Sequence, residues 1–285
     1  MSRVALLAER LRVEERLLTA ALARHGWEAT LLRPADLALP LQALQAVDTP
    51  DLPPAVLDRT LATPESVALS ALLSSTGTTV VNRTATTRLL ADRLAFLRHM
   101  LAGQIAVPPT VASFGPESTL RAIETLGYPV YLKSLSAGPP MPVALVEDRD
   151  AAEALVEHRS VLGDERAVLV QKAVADPSQT VRLVVAGQRL IAAARLVDER
   201  WQLVETGTWE RLAAAVTQRL GSGVYEIEAA EMDAGQVVIS AGNLVEFRSL
   251  AELGVPVAEA IVEHLLEVVT EGAEVSAIPS EGVSA

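Results

Sequence analysis

With 285 residues, half of them apolar, the chain is long enough for two or three packed lobes, and without cysteine it has neither disulfides nor thiolate chemistry. A formal charge of -12 with no basic run excludes nucleic acid as a partner, because phosphate binding needs clustered Lys and Arg. Aromatic residues make up only 3%, so Leu, Val and Ala must fill the core.

In chain order, Val4 to Leu7 reads as a buried strand. A helix follows in which Leu11, Leu18 and Leu22 recur at helical spacing, closed by Gly26. The apolar start meets Glu9, Arg10 and Arg12 too soon for a signal peptide, and no apolar run reaches membrane-spanning length. A cytoplasmic protein with no membrane partner is expected. Ala29 to Leu32 and the pair Val56 and Leu57 read as further strands, Pro64-Glu65 opens a helix ending near Gly77, and Thr78 to Val81 is a β-branched run. Strands alternating with helices imply a parallel sheet. Pro34 to Pro54 should connect these elements with at most a short helix.

From Thr84 to Gly103 one long helix is predicted, with Leu89, Leu90, Leu94, Leu97 and Leu101 on one side, ended by Val107-Pro108-Pro109. A strand near Thr110, a helix Pro116 to Leu126, a strand Tyr128 to Leu135, a helix from about Asp150 to His158 and a strand Val168 to Gln171 then form a small α+β lobe. Two hairpins follow: Val181 to Val185 with Leu190 to Leu196 across Gly187-Gln188, and Val224 to Glu231 with Gln236 to Val245 across Asp233-Ala234-Gly235. Helices near Thr208 to Leu220 and Val257 to Val269 complete this lobe, and the small polar stretch from Thr270 onward reads as a frayed tail.

Four segments carry a resemblance: Val80-Val81-Asn82-Arg83, Gly127-Tyr128-Pro129-Val130-Tyr131-Leu132-Lys133, Val181-Arg182-Leu183-Val184-Val185-Ala186-Gly187 and Asn243-Leu244-Val245-Glu246-Phe247. In these, and in the order of its lobes, the chain resembles the RimK-like and LysX-like ATP-grasp carboxylate-amine ligases over nearly its whole length. The resemblance implies an α/β (α+β) ATP-grasp fold: a parallel α/β lobe at residues 1–83, a central lobe with linking helix and lid at 84–174, and a C-terminal lobe at 175–270. The two α+β lobes would enclose a nucleotide, and residues 271–285 would be a disordered tail.

Such ligases use ATP and Mg2+ to turn a carboxylate into an acyl phosphate that an amine attacks. The site therefore needs cations over the phosphates and hard oxygen ligands around the metal. By resemblance, Arg93 and Lys133 stand where the family has its two nucleotide lysines, and Gln171, Lys172 and Val174 form the adenine hinge. Arg182 could face a phosphate or a substrate carboxylate, or be an ordinary strand surface residue. Glu228 and Asn243 are the metal ligands that the resemblance implies. An amino acid would be joined to the C-terminal glutamate of a carrier, as in lysine or arginine biosynthesis, or the reaction would be protein glutamylation. A small acidic carrier protein or an active ligase homologue is then the expected partner, with self-association as a further option.

Several positions depart from the family pattern. Pro139, Pro140 and Pro142 stand in the loop whose N–H groups should cradle phosphate, and proline has no N–H. Lys172 replaces an acid at the hinge, and Ala241 takes the place of the central metal carboxylate, two residues before Asn243. The loop before the last-lobe helix is cut to about Glu205-Thr206-Gly207-Thr208, and Arg195 is one residue out of frame with a family arginine. Together these predict weakened or lost catalysis. His25, His99, His158 and His264 lack metal-ligand spacing, and Gly221-Ser222-Gly223 reads as a turn, not a dinucleotide loop.

Overall fold

The computed structural model describes residues 2–39, 41, 52–137, 143–162, 167–174, 179–233 and 235–277. Strand β1 (Arg3–Leu7), helix α1 (Val13–Arg24), strands β2 (Glu28–Leu32) and β3 (Ala55–Asp58), helix α2 (Pro64–Ser75) and strand β4 (Thr79–Val81) build a parallel sheet of order β2-β1-β3-β4. β1 and β3 read as near-continuous apolar runs because both of their faces are covered. Only a short 3-10 turn, Pro34–Asp36, lies between β2 and the residues left undescribed.

The predicted long helix is two: α3 (Thr84–Ala91) and α4 (Arg93–Ala102). Asp92 breaks it. Its backbone is extended, and its carboxylate accepts from the Ala95 N–H at 2.9 Å, so the residue is a better cap for α4 than an interior helix residue. The leucine periodicity ran through the kink unbroken and hid it.

Strand β5 (Thr110–Ser113), helix α5 (Pro116–Leu126), strands β6 (Val130–Ser134) and β7 (Ala144–Val146), helix α6 (Arg149–Leu162) and strand β8 (Val168–Lys172) form an antiparallel sheet of order β5-β8-β6-β7. Its core holds Ile123 and Ala152 from the two helices against Val130, Leu132 and Val170. The last sheet takes β9 (Val181–Gly187), β10 (Arg189–Val197), β11 (Arg200–Leu203), then after α7 (Gly207–Leu220) β12 (Gly223–Met232) and β13 (Gly235–Gly242), in the order β11-β10-β9-β12-β13. Helices α8 (Arg248–Glu252) and α9 (Val257–Ala277) follow.

β11 was not legible in the sequence. Its two-residue turn, Asp198-Glu199, holds both residues at positive φ (47° and 61°), a conformation that usually calls for Asn or Gly. β13 stops at Gly242, short of the predicted Val245. Helix α9 runs to Ala277, where a tail from Thr270 was expected; its remainder, 278–285, lies outside the described residues.

The five-stranded sheet is buried on both faces along its central strand β9 and much of β12, and strand alternation sorts its residues. Leu183, Val185, Tyr225 and Ile227 face α4 and α7, where Phe96, Met100, Trp209 and Val216 pack. Val184, Ala186 and Val224 face the first lobe, sharing one core with Leu6, Leu18, Phe247 and Ile261. Asn82 fastens the two lobes: its Nδ2 donates to Val224 O at 2.7 Å and its Oδ1 accepts from the Val224 N–H. A Cβ on Gly223 would lie 2.4 Å from that oxygen, so only glycine permits the approach. No described helix is long and apolar enough to cross a membrane.

Candidate nucleotide site

Six of the eight singled-out residues, Arg93, Lys133, Gln171, Lys172, Val174 and Glu228, line one cavity of about 280 Å³ between β6, β8 and the β12–β13 hairpin. Lys133 lies on β6, where its alternation with Tyr131 turns both toward the cleft. Its ammonium sits 5.5 Å from the Tyr131 ring centroid and donates to Gln171 Oε1 at 2.7 Å. Gln171 is held in turn, its Nε2 donating to Thr110 Oγ1 at 3.1 Å. Only 7% of Lys133 is exposed, and burial pulls its pKa down to about 8; Glu228 opposes the shift and Arg93 adds to it.

Arg93 is committed elsewhere. Its Nη1 donates to Ser134 O at 3.1 Å, to Ser134 Oγ at 2.8 Å and to Ser136 O, while its N–H donates to Leu135 O at 2.7 Å. With the Asp92–Ser136 bridge and Ala137 N–H on Ala91 O, these contacts zip the exit of β6 onto the α3–α4 kink. The rest of that loop, including Pro139, Pro140 and Pro142, lies outside the described residues.

Lys172 borders the cavity, but its ammonium donates to Gly127 O at 3.0 Å and Tyr128 O at 2.8 Å, tying the end of β8 to the turn before β6. Its N–H donates to Pro109 O and that of Ala173 to Pro129 O. Lys133 and Lys172 are the chain's only two lysines among 24 cationic residues. That rarity was a legible signal for the cleft.

Arg182 and Asn243 fall outside this cavity. Arg182, on β9, stacks at 4.3 Å on Trp201 of β11, reaches Glu226 at 3.6 Å and donates to Glu246 O at 3.3 Å. Sequence reasoning missed Trp201 because it missed the strand. Arg195, from the neighbouring strand, lines a different cavity of about 880 Å³ with Glu205, Trp209 and Glu231. Asn243 lies just past the end of β13, buried, with neither side-chain polar atom finding a partner among the described residues.

The register of β12 and β13 decides which side chains share a face. Glu228 is opposite Arg182 on one side and Ser240 on the other, whose hydroxyl donates to it at 2.8 Å. Ala241 is opposite Ile227, so its side chain turns to the other face and packs with the α4–α7 core. Ala241 thus turns away from Glu228, in a register set by a bulge at Glu228/Ala229, and Asn243 lies beyond the end of β13.

The chain is 50% identical to a RimK domain ATP-grasp protein from Sphaerobacter thermophilus, covering 93% of this chain and 100% of that one with a TM-score of 0.84. It belongs to the RimK/LysX-like ATP-grasp family. Residues 4–89 match the model of the LysX preATP-grasp domain. The glutamate–LysW ligase ArgX of Sulfolobus acidocaldarius is 24% identical over 281 residues, 92% of this chain and 98% of its own. The ATP-grasp ligase PsnB, solved with its minimal precursor, Mg and ADP, is 17% identical, covers 94% and 98% of the two chains at a TM-score of 0.70, and bears on the fold alone.

Within this ATP-grasp frame, the cavity suits the flat, apolar half of a nucleotide: Tyr131, Val174 and Ile239 border it, with Lys133 at its polar end. At about 280 Å³ it sits at the low edge of the ~300–1000 Å³ typical of small-molecule sites. The acids fit a divalent metal poorly. Among the described residues Glu228 is the one carboxylate bordering the cavity, Glu226 is engaged by Arg182, and burial raises the Glu226 pKa although Arg182 opposes it. Among the described residues no three His, Cys, Asp or Glu side chains are grouped to hold an ion.

Proposed function

We propose that this ATP-grasp chain descends from ligases that form an amide through an acyl phosphate, and that its nucleotide- and metal-dependent catalysis is weakened or lost. The observation that carries this reading is the neighbourhood of Glu228. It has a serine opposite on β13 and an arginine opposite on β9, and its nearest acid on the same face, Glu226, is already paired. Phosphoryl transfer depends almost wholly on positioning and charge neutralisation, so one carboxylate is a thin basis for a metal-assisted step. The use of Arg93 Nη1 on Ser134 and Ser136, and of the Lys172 ammonium on the Gly127 and Tyr128 carbonyls, supports the same reading. Arg182, similarly, is engaged by Trp201 and Glu226.

In this reading the chain would bind nucleotide weakly through Lys133 and the Gln171–Val174 hinge, and would act by associating with a small acidic carrier or an active ligase homologue. The second reading, an active ATP- and Mg-dependent carboxylate-amine ligase of lysine or arginine biosynthesis or of protein glutamylation, draws on the gathering of six site residues in one cavity and on the glutamate–LysW ligase relative. Release of ADP separates the two. With ATP, magnesium, glutamate and an acidic carrier peptide ending in glutamate, ADP should stay at the level of a no-enzyme control. Turnover that requires all four components would establish the second reading.

A further inference from the structure

We infer that His264 is an acid-sensitive latch between the first lobe and the last sheet: the neutral ring seats α9 against the β9–β10 turn, and a protonated ring releases that seat. Helix α9 packs on α1 and β4 of the first lobe and on β9 and β10 of the last sheet, so it spans the junction of the two. His264 lies on its buried side, with 4% of the residue exposed. Gly187 turns the β9–β10 hairpin at a φ of 67°, and a Cβ there would stand 3.1 Å from His264 Nδ1, so the turn lies directly on the imidazole. The same turn, the exit of β4 and α9 enclose a cavity of about 540 Å³ beside Asn82, the residue that fastens the two lobes.

The surroundings of the ring suit its neutral form. Nε2 is buried and has no partner among the described residues. In the neutral ring that atom is at most an unmet polar group, whereas in the imidazolium it is an unmet donor on a buried charge, which costs far more. On α9, Glu267 Oε2 stands 3.8 Å from Nδ1, too long for a full hydrogen bond, and its side chain is 68% exposed. Glu271, one turn further on, borders the cavity as well. Facing these acids are Arg83, which follows β4, and Arg189, which opens β10 and is paired with Glu263 of α9.

Burial prevails over these charges. It lowers the His264 pKa from its usual 6.5, with Arg189 adding to the shift and Glu267 and Glu271 opposing it. An undocked ring therefore takes up a proton before a docked one does. The seat is complete above pH 6.5 and is lost as pH falls below that value.

Hydrogen exchange of the full-length protein at about pH 7.5 and about pH 5, each rate taken relative to an unstructured chain at the same pH, tests this independently of the ligase question. Protection of the β9–β10 turn and of α9 from His264 onward should fall at least about fivefold at the lower pH, while β5 and β8 change less than about twofold. His264→Gln cannot take up the proton and should abolish that fall, yet it can also loosen α9 at every pH. Glu267→Gln is the safer variant, because it alters an exposed side chain. With one opposing acid gone, its fall should exceed the parent's, and this comparison decides the matter if His264→Gln does not fold. Protection unchanged by acid, an equal fall in β5 and β8, a fall that His264→Gln retains, or a Glu267→Gln response no larger than the parent's would each overturn the proposal.

Discussion

Replacing Arg59 with methionine is expected to lower the unfolding free energy by about 3 kcal/mol, the cost of opening a buried ion pair from one side. Neither Arg59 nor Glu15 exposes any side-chain surface, and the guanidinium also carries the Val245 carbonyl at 2.7 Å and lies over the Phe247 ring at 5.6 Å. Methionine roughly fills the volume but leaves Val245 O without its donor and Glu15 with Arg12 alone, at 3.1 Å. Because Val245 and Phe247 belong to the core shared by the first and last lobes, the loss should be global, not local. Urea unfolding of the variant measures it. The double variant Arg59→Met with Glu15→Gln should recover part of the loss, as a coupled pair requires. A loss under about 1 kcal/mol would mean that the pair contributes packing and little else.

Lys133 carries the second large effect. Its pKa falls from 10.5 unfolded to about 8 folded, chiefly through burial. Between pH 8 and 10.5 the unfolded chain keeps a proton that the folded lysine has released, so stability rises with pH across that window. The difference corresponds to about 3 kcal/mol, present as a penalty at neutral pH where the ammonium is charged and desolvated. Tyr225, pushed up to about 12 by burial, acts only above its ordinary value near 10.0, so the lower part of the window belongs to Lys133. Unfolding measured at about pH 7.5 and pH 10 should show the parent gaining stability while Lys133→Met stays nearly flat and starts out more stable. Equal pH slopes in the two proteins would show that Lys133 is better solvated than its 7% exposure indicates.

Much of this architecture was legible because local signals and tertiary demand agreed. β1 and β3 are apolar but for Arg3 and Asp58 at their ends, Pro64 opens α2, and Gly187 at positive φ turns the β9–β10 hairpin, so periodicity and turn chemistry gave the right elements. Errors arose where one side chain overrode a pattern. Asp92 caps a new helix within an unbroken leucine repeat, and Asp198-Glu199 make a tight turn without glycine. Of the candidate site, Lys133, Gln171, Lys172 and Val174 were singled out through the family resemblance, and the structure gathers them along one cavity. The faces of Ala241 and Glu228 could not be read in advance, because a bulge one residue long reverses the parity on which period-two reasoning rests. The engagement of Arg93, Lys172 and Arg182 was likewise invisible, since it rests mainly on backbone carbonyls and on Trp201, which lies on a strand the sequence concealed.

Weakened nucleotide and metal use is tested most directly by calorimetric titration of ATP into the folded protein, with and without magnesium. Weak binding through Lys133 and the hinge, changed less than about threefold by magnesium, is the expected result. Tight ATP binding that depends on magnesium would contradict it, showing that Glu228 and its neighbours assemble a working metal site when nucleotide arrives.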